Sequence, residues 1–353
     1  MQIEIYNMIP VGENIYISLE AVCDSFSSLL WDIEYYKCGA FEVYIAASPR
    51  NIEIFQTGRI VGRDDDKEHF GLIESVELET DAEDGDYLIV KGRFLMCLLE
   101  RRIIYPTFNF TKLVSYSQIV MNVVQYNACT TGIRKLPGLV VGCSSGTCWD
   151  TKTKLQVSYD NLMEWVYTIC EKIGGTANIR LSKIDNEQYE MIFELSQGTD
   201  RSILQKINPH IIFSDRYNNL LSFTYFTDTS FKKNYAYVLG KGEGEKRKRT
   251  TYFEGTEPSS LERYEVYVDA KDISNEEQEN GETKPLSEEE YSELLKEKGK
   301  QSLVPITMKS ESQIAVQSTQ FQYGVDYFVG DFVTVEHHRF GIRQNKIQLV
   351  GMI

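Results

Sequence analysis

Residues 81–94 read DAEDGDYLIVKGRF and place the pair Asp84-Gly85 between two apolar runs. Glycine adopts a positive φ at low cost, so this pair predicts a tight turn between two antiparallel strands. Residues 76–79 and 41–45 alternate apolar and polar side chains, which is typical of half-buried strands. Residues 1–110 are therefore predicted to form a small β-barrel or sandwich, closed by a short helix that begins near Phe94.

The apolar period becomes helical in the next hundred residues. Residues 113–126 and 162–173 each carry an apolar stripe at helical spacing, and Gly174-Gly175 is expected to end the second helix. Strands are predicted around 179–181 and 189–195, with a turn at Asp185-Asn186 between them. Residues 111–209 are therefore predicted to be a small α/β middle domain.

Strands return in residues 210–353, which are predicted to form a second β-barrel domain. One helix is inserted near 287–299, because Ser287 and Glu290 have the spacing of a capping box, and Gly299 is expected to end that helix. The fold class is thus mainly β with α+β content: two β-barrel domains flank the middle domain. The predicted strands lie at 210–213, 220–225, 235–239, 264–268, 314–320, 332–335 and 347–350.

Composition excludes several classes of protein. The 353 residues carry 37 basic and 52 acidic side chains, a formal charge of −15, which argues against sequence-specific binding of nucleic acid through phosphate contacts. The N-terminal residues lack the pattern of a secretory signal, and no apolar run is long enough to span a bilayer. Seven scattered cysteines indicate reduced, mostly buried thiols, so we expect a protein that assembles in a cytoplasm.

Two motifs suggest catalysis only superficially. Residues 142–146 satisfy the G-x-S-x-G pattern of hydrolases around Ser144, but that mechanism needs a helix directly after the serine, and the residues that follow carry no helical period. Residues 240–244 are rich in glycine, but they lack the Walker spacing, and Glu243 would repel phosphate. We predict no catalytic site.

Metal and cofactor sites are not predicted either. Cys143 and Cys148 are more typical of a hairpin loop than of a zinc site, because no second cysteine pair accompanies them. The consecutive acids Asp64, Asp65 and Asp66 favour a turn over a calcium loop, whose acids alternate. The basic run Lys246, Arg247, Lys248 and Arg249 leaves two interpretations open: a solvated hairpin tip, or a docking patch for an acidic partner.

Several stretches resemble siphophage tail-tip hub proteins. The family's first barrel ends in a strand and short helix closed by paired arginines, which GRFLMCLLERRII matches with Arg101 and Arg102. Its middle-domain helix resembles 162–175. The most specific similarity is in 208–273, and its closing hairpin pattern D-Y-x-x-G-D-x-V-T-V falls on Asp326, Tyr327, Gly330, Asp331, Val333 and Val335.

The resemblance implies a structural virion protein at the tail tip, similar in fold to the central baseplate hub of contractile-tailed phages. Such hubs carry two tube-like β-barrel domains and form homotrimers that continue the tail tube around the DNA channel. The implied partners are the distal tail protein, the tail tube end, the tape measure protein, and tail fibre or receptor-binding proteins. The two basic segments, Arg101–Arg102 and Lys246–Arg249, are the candidate interfaces.

Two alternative functions stay open at the level of sequence: a tail-associated peptidoglycan hydrolase and a receptor-binding adhesin. Many relatives of the hub continue into a hydrolase or fibre-binding region. Because this sequence ends at Ile353, soon after the closing hairpin, we expect no such arm. The tyrosines are spread through strands rather than clustered for glycan stacking, so the structural hub, without enzymatic activity or cofactor, is the preferred prediction.

Overall fold

The computed structural model describes residues 1–81, 85–130, 132–185, 187–244, 247–279, 282–304, 307–314 and 320–352. Strands dominate this part of the chain, so the predicted mainly β class is confirmed. The N-terminal region ends in a 3-10 helix at Leu95–Arg101, whose apolar residues are buried all round rather than on one face. Its other elements are β1 (Ile3–Val11), β2 (Asn14–Cys23), β3 (Ser28–Glu34), β4 (Ala40–Ala46), α1 (Pro49–Ile54), β5 (Ile60–Arg63), β6 (Asp66–Asp81) and β7 (Gly85–Phe94).

The predicted hairpin is present, because β6 and β7 pair antiparallel and Asp81 lies opposite Gly85. Gly85 has a φ of 92°, the conformation that the Asp-Gly pair predicted. Asp84 itself lies outside the described residues. The alternation in β4 is also confirmed: Phe41, Val43 and Ile45 are at most 1% exposed.

The middle region alternates strands and helices. Its elements are β8 (Phe108–Ser115), α2 (Tyr116–Val124), a π-helical turn (Gln125–Cys129), β9 (Leu139–Ser144), a 3-10 helix (Thr147–Asp150), β10 (Lys152–Val157), α3 (Leu162–Ile173), β11 (Thr176–Asp185) and β12 (Gln188–Ser196). The second helix has the predicted bounds, and Gly174 ends it with a φ of 75°. The helix predicted at 113–126 is α2, which starts later, at Tyr116. Leu113 belongs to β8, and the Ser115 side chain caps α2. Asn186, in the predicted turn, lies outside the described residues.

The C-terminal region consists of short strands around one long helix. Its elements are β13 (Ile212–Ser214), β14 (Leu220–Asp228), β15 (Tyr235–Leu239), β16 (Arg249–Tyr252), β17 (Glu265–Asp269), β18 (Glu276–Glu279), β19 (Glu282–Pro285), α4 (Glu288–Gln301), β20 (Thr307–Ile314), β21 (Phe332–His337), β22 (Ile342–Gln348) and β23 (Gly351–Met352). The strand predicted at 314–320 shares only Ile314 with β20, and residues 315–319 lie outside the described residues.

The capping box of α4 is confirmed, since the Ser287 hydroxyl accepts from the backbone N–H of Glu290 and the Glu290 carboxylate accepts from that of Ser287. Gly299 does not end the helix, which continues to Gln301. A Cβ on Gly299 would lie 2.7 Å from the Val238 side chain. Glycine is therefore needed there because α4 packs closely on β15, which a sequence signal for helix termination does not distinguish.

One long sheet runs through the N-terminal and middle regions in the order β11–β12–β2–β1–β5–β6–β7–β4–β3–β23, and β9 pairs with β12. β12 joins β2 through the pair Tyr189 and Ile15, and the C-terminal β23 joins β3. This sheet has two ends among the described residues, so its strands do not close into a barrel within one chain.

The long sheet has an apolar core on each face. Ile60 and Leu72 contact the cluster that also contains α2 and α3, whereas their neighbours Val61 and Ile73 face a second cluster formed by β1, β3, β4 and β7. Adjacent strand residues point to opposite faces, so burial of both neighbours means that the sheet is covered on both sides at this point in β5 and β6. Two smaller clusters lie in the C-terminal region, one beneath α4 and one around β13 and β21.

Candidate interaction surfaces

Asp331 is a buried carboxylate in the turn before β21, only 3% exposed. Its Oδ2 accepts hydrogen bonds from the Nε of Arg201 at 2.8 Å and from the backbone N–H of Phe328 at 3.1 Å. Its Oδ1 accepts one from the backbone N–H of Thr199 at 2.7 Å. A buried charge needs both a counter-charge and hydrogen bonds, and Asp331 has both. It therefore joins the segment after β12 to the turn before β21.

Two glycines let three distant segments approach one another beside Asp331. A Cβ on Gly198 would lie 1.8 Å from the carbonyl oxygen of Gly330, and a Cβ on Gly330 would lie 2.1 Å from the ring of Tyr35. The hydroxyl of Tyr35 accepts from the backbone N–H of Gly198 at 2.9 Å, and burial raises the pKa of this tyrosine. We call Tyr35, Gly198, Arg201, Gly330 and Asp331 the junction.

The rest of the hairpin pattern singled out in the sequence is also structural. Tyr327 is fully buried, and its ring centroid lies 5.3 Å from that of Phe213. Asp326 accepts a hydrogen bond from the backbone N–H of Gln322 at 2.7 Å, which stabilises the preceding turn. The remaining positions are buried valines of the same cluster, Val333 and Val335. The pattern thus encodes a turn that holds the C-terminal region onto the rest of the chain.

Arg101 and Arg102 lie at the end of the 3-10 helix, beside a third arginine that the sequence did not single out. Arg102 donates from its Nε to the carbonyl oxygen of Arg134 at 2.6 Å and from its Nη1 to that of Arg101 at 2.9 Å. Arg134 donates to the carbonyl oxygens of Tyr105 and Ile103. Partial burial, and then the charges of Arg134 and Arg101, lower the pKa of Arg102, so the three cations lie close together.

The basic run at 246–249 does not act as one unit in the structure. Lys246 lies outside the described residues. Arg247 is only 10% exposed in its side chain and donates to the carbonyl oxygens of Leu239 and Gly240, the Tyr267 hydroxyl and the Asp269 carboxylate. Lys248 pairs with Glu288 of α4, whereas Arg249 is exposed on β16. Arg247 thus holds the glycine-rich loop at 240–244 against β17, a contact within the chain.

The acidic run at 64–66 sends each carboxylate to a different partner. Asp64 accepts from the backbone of Gln2, and Asp65 pairs with Arg63. Asp66 accepts from the indole N–H of Trp31 at 3.0 Å and lies 2.9 Å from Nδ1 of His69. Burial opposes ionisation of Asp66, but these hydrogen bonds outweigh it, so its pKa is lowered to about 2. This arrangement is that of a strand turn, as favoured by the sequence.

Ser144 and the cysteine pair lie on an exposed strand end. Ser144 ends β9, and a one-turn 3-10 helix at Thr147–Asp150 follows it where the sequence predicted no helix. A hydrolase of the G-x-S-x-G type needs an α-helix directly after its serine. No α-helix forms directly after Ser144, because β10 begins at Lys152. All seven cysteines are free; three are buried, three are half-buried, and Cys143 is exposed, with its sulfur 3.6 Å from Glu194. Within the described residues, no three His, Cys, Asp or Glu side chains are grouped to hold a metal ion.

Sequence patterns missed the two features that organise these surfaces. Arg201 lies 130 residues from Asp331, and Arg134 lies 29 residues from Tyr105. Arg201 belongs to no basic run, and Arg134 is adjacent only to Lys135, which pairs with Glu13. Among the described helices, none has the length and apolar character needed to cross a membrane.

A family model described as Siphovirus ReqiPepy6 Gp37-like protein matches residues 3–349 of the sequence. A search of curated proteins gave no match. Three solved structures resemble the whole fold at low sequence identity. The tail protein of Neisseria meningitidis MC58 has a TM-score of 0.54 and 13% identity, with 99% of this chain and 90% of that chain covered.

The other two structures give nearly the same superposition. Prophage tail protein gp18 of Listeria monocytogenes EGD-e has a TM-score of 0.53 and 11% identity over 99% of this chain and 89% of its own. The 43 kDa tail protein of prophage MuSo2 from Shewanella oneidensis has a TM-score of 0.53 and 11% identity over 99% of this chain and 93% of its own. At such identities these likenesses concern the fold, which extends over nearly the full length of each chain.

Proposed function

The chain belongs to the Siphovirus ReqiPepy6 Gp37-like protein family of phage tail proteins, and on that premise we propose that it is the hub at the distal tip of the tail tube. In this role it organises assembly of the tail tip and forms part of the channel through which DNA leaves. The observation that carries the proposal is the family match over residues 3–349. The hub-like pattern at 326–335 supports it, since its Gly330 and Asp331 belong to the junction.

We propose that three copies form a ring around the channel. Residues 1–110 and 210–353 would be its tube-like domains, with 111–209 between them. The long sheet supports this arrangement, because its strands end at two open edges rather than closing within one chain. Exposed sheet edges carry unpaired backbone donors and acceptors that another chain can satisfy. The open edges at β11 and β23 would thus be paired between copies.

The proposed channel wall is neutral to acidic. Each contact between a phosphate and a cation adds binding free energy through counterion release, and moving DNA would have to break it again. The charge of −15 on each chain is suited to a wall that repels phosphates and keeps DNA in the centre.

The role proposed is structural, without catalysis or cofactor. The partners proposed are further copies of the chain, the distal tail protein, the tail tube end, the tape measure protein, and fibre or receptor-binding proteins. The protein would assemble in the bacterial cytoplasm and remain at the tail tip of the virion. Among the residues that the structure describes, no specific contact favours the hydrolase or the adhesin.

Purified tails provide the test of this function. Quantitative mass spectrometry should find about three copies per particle, the number expected for one ring of the closed symmetry proposed here. Gold-labelled antibodies should mark one end of the tail, opposite the head. Labelling along the whole tube, or absence from particles that infect normally, would contradict the hub role.

A further inference from the structure

Three arginine side chains lie together without an acidic partner. The side chains of Arg102 and Arg134 donate hydrogen bonds to backbone carbonyl oxygens. Within the described part of the chain, the Arg101 side chain donates no hydrogen bond. The nearest glutamate in sequence, Glu100, already pairs with Arg93. Grouped like charges repel, so three uncompensated cations reduce the stability of the isolated chain.

Large apolar side chains surround these cations and remain exposed. Ile133 is fully exposed, Tyr159 is 68% exposed, Tyr105 56% and Ile103 46%. The rings of Tyr105 and Tyr159 contact each other with centroids 6.1 Å apart. Arg134 ties this group together through the carbonyl oxygens of Ile103 and Tyr105. These residues are named the arginine surface: Arg101, Arg102, Arg134, Ile103, Tyr105, Ile133 and Tyr159.

The composition of the arginine surface is that of the centre of a protein interface. Arginine and tyrosine are enriched among residues that dominate binding energy, and contiguous exposed apolar groups on a soluble chain mark contact sites. Fully exposed aliphatic side chains such as Ile133 favour a protein partner over DNA, because nucleic acids offer stacking and phosphates rather than an apolar pocket.

We propose that the arginine surface binds an acidic face of a second copy of the same chain. The inference rests on the proposed ring, for which it supplies the contact. The complementary charge is present on the chain itself, which carries 15 more acidic than basic side chains. Two different patches that meet head to tail generate a ring when the rotation closes.

The outer face of β4, β6 and β7 supplies this complement. Among the described residues it carries Glu42, Glu77 and Glu79, and its cations already have acidic partners: Lys91 pairs with Glu42, and Arg93 pairs with Glu74 and Glu100. The stacked rings of Tyr44 and Tyr87, 4.6 Å apart, lie on the same face. Glu77 and Glu79 are exposed; their charges act on Lys91, but among the described residues neither has a cation within ion-pair distance. The face therefore offers carboxylates next to aromatic rings, opposite in charge to the arginine surface.

Self-association of purified variants tests the contact. The variant Arg101→Glu with Ile133→Asp removes one cation and one aliphatic contact without disturbing a hydrogen bond of the described fold. We expect the concentration at half assembly, measured by mass photometry, to rise at least about tenfold, since single central interface residues commonly contribute that much. The matched control is Lys206→Glu with Ile207→Asp, an exposed pair that belongs to neither patch, which should assemble as the unchanged chain does.

A charge exchange tests the pairing itself. Arg101→Glu and Glu77→Lys should each weaken assembly, and the chain carrying both should recover most of the loss, because opposite charges face each other again. Circular dichroism melting should show all variants folded. Variants that assemble like the unchanged chain would overturn the contact while leaving the ring intact. An unchanged chain that stays monomeric at every concentration and salt would also overturn it, whereas antibody labelling of tails would still decide the hub role.

Discussion

Arg201 donates a hydrogen bond from Nε to Oδ2 of Asp331 at 2.8 Å, across 130 residues of sequence. This ion pair is largely withdrawn from solvent, with Arg201 18% and Asp331 4% exposed in their side chains. It lies where β21 begins, beside the close contact between Gly198 and Gly330. The pair therefore stabilises the attachment of the C-terminal region to the end of the middle region, in the segment that follows β12 of the long sheet.

Replacing Asp331 with asparagine should destabilise the protein strongly. The amide keeps the shape of the side chain but leaves the Arg201 charge without its counter-charge, so we expect a loss of about 3 kcal/mol in the free energy of unfolding. Urea denaturation followed by fluorescence measures this difference. The control, Asp65→Asn, breaks a more exposed pair with Arg63 and should change stability by less than about 1 kcal/mol. Equal effects of the two substitutions would refute a special role for Asp331.

Alanine at Gly198 should prevent the close packing in the junction. The added Cβ would lie 1.8 Å from the carbonyl oxygen of Gly330, and neither backbone can move without displacing Tyr35 or Asp331. We expect a loss of about 3 kcal/mol, the upper range for overpacking. Gly351→Ala is the control, because its nearest contact would be 3.6 Å away. A Gly198→Ala protein that melts with the control would show that the junction is looser than described.

Asp66 should contribute to the loss of stability in acid. Its pKa is lowered to about 2 in the folded protein, whereas an unfolded aspartate titrates near about 3.9. A lowered folded pKa adds stability above the unfolded value, and this stability is lost as the pH falls from about 4 to about 2. Asp66→Asn should therefore flatten this part of the stability curve, while Asp24→Asn at an exposed site should not. An acid limb that is unchanged by Asp66→Asn would contradict the assignment.

Arg247 should act within the fold rather than as part of a docking patch. Its guanidinium holds the carbonyl oxygens of Leu239 and Gly240 and pairs with Asp269, so Arg247→Ala should lower the melting temperature. Arg249→Ala, at an exposed position two residues further on, should leave melting unchanged. If both substitutions weaken tail assembly without changing the melting temperature, the docking interpretation of the basic run is the correct one.

The sequence predicted local structure where a local pattern determines it. The bounds of α3, the capping box at Ser287 and the glycine turn at Gly85 depend on residues within a few positions of one another. Gly299 was wrongly assigned to a helix end. Glycine is required there because the helix packs closely on Val238, which lies on a distant strand and is not visible in the local sequence. The same limit applies to strand order, since the pairing of β12 with β2 joins residues more than 170 positions apart.

The candidate surfaces were predictable only in part. Arg101 and Arg102 were found because they are adjacent in sequence, but Arg134 joins them only through the folded backbone. Clustered basic residues suggested one patch at 246–249, whereas Arg247 turns inward to carbonyl oxygens that strand geometry brings within reach. Charge runs indicate where cations are dense, and only the fold determines which of them have partners.

Electron cryomicroscopy of assembled tails tests the hub role most directly. The account predicts three copies of this chain in one ring at the end of the tube away from the head, with a neutral to acidic lumen. The arginine surface of each copy should contact the face carrying Glu77 and Glu79 of the next. A different number of copies in the ring, a position along the tube, or a lumen lined by the arginine surface would contradict it.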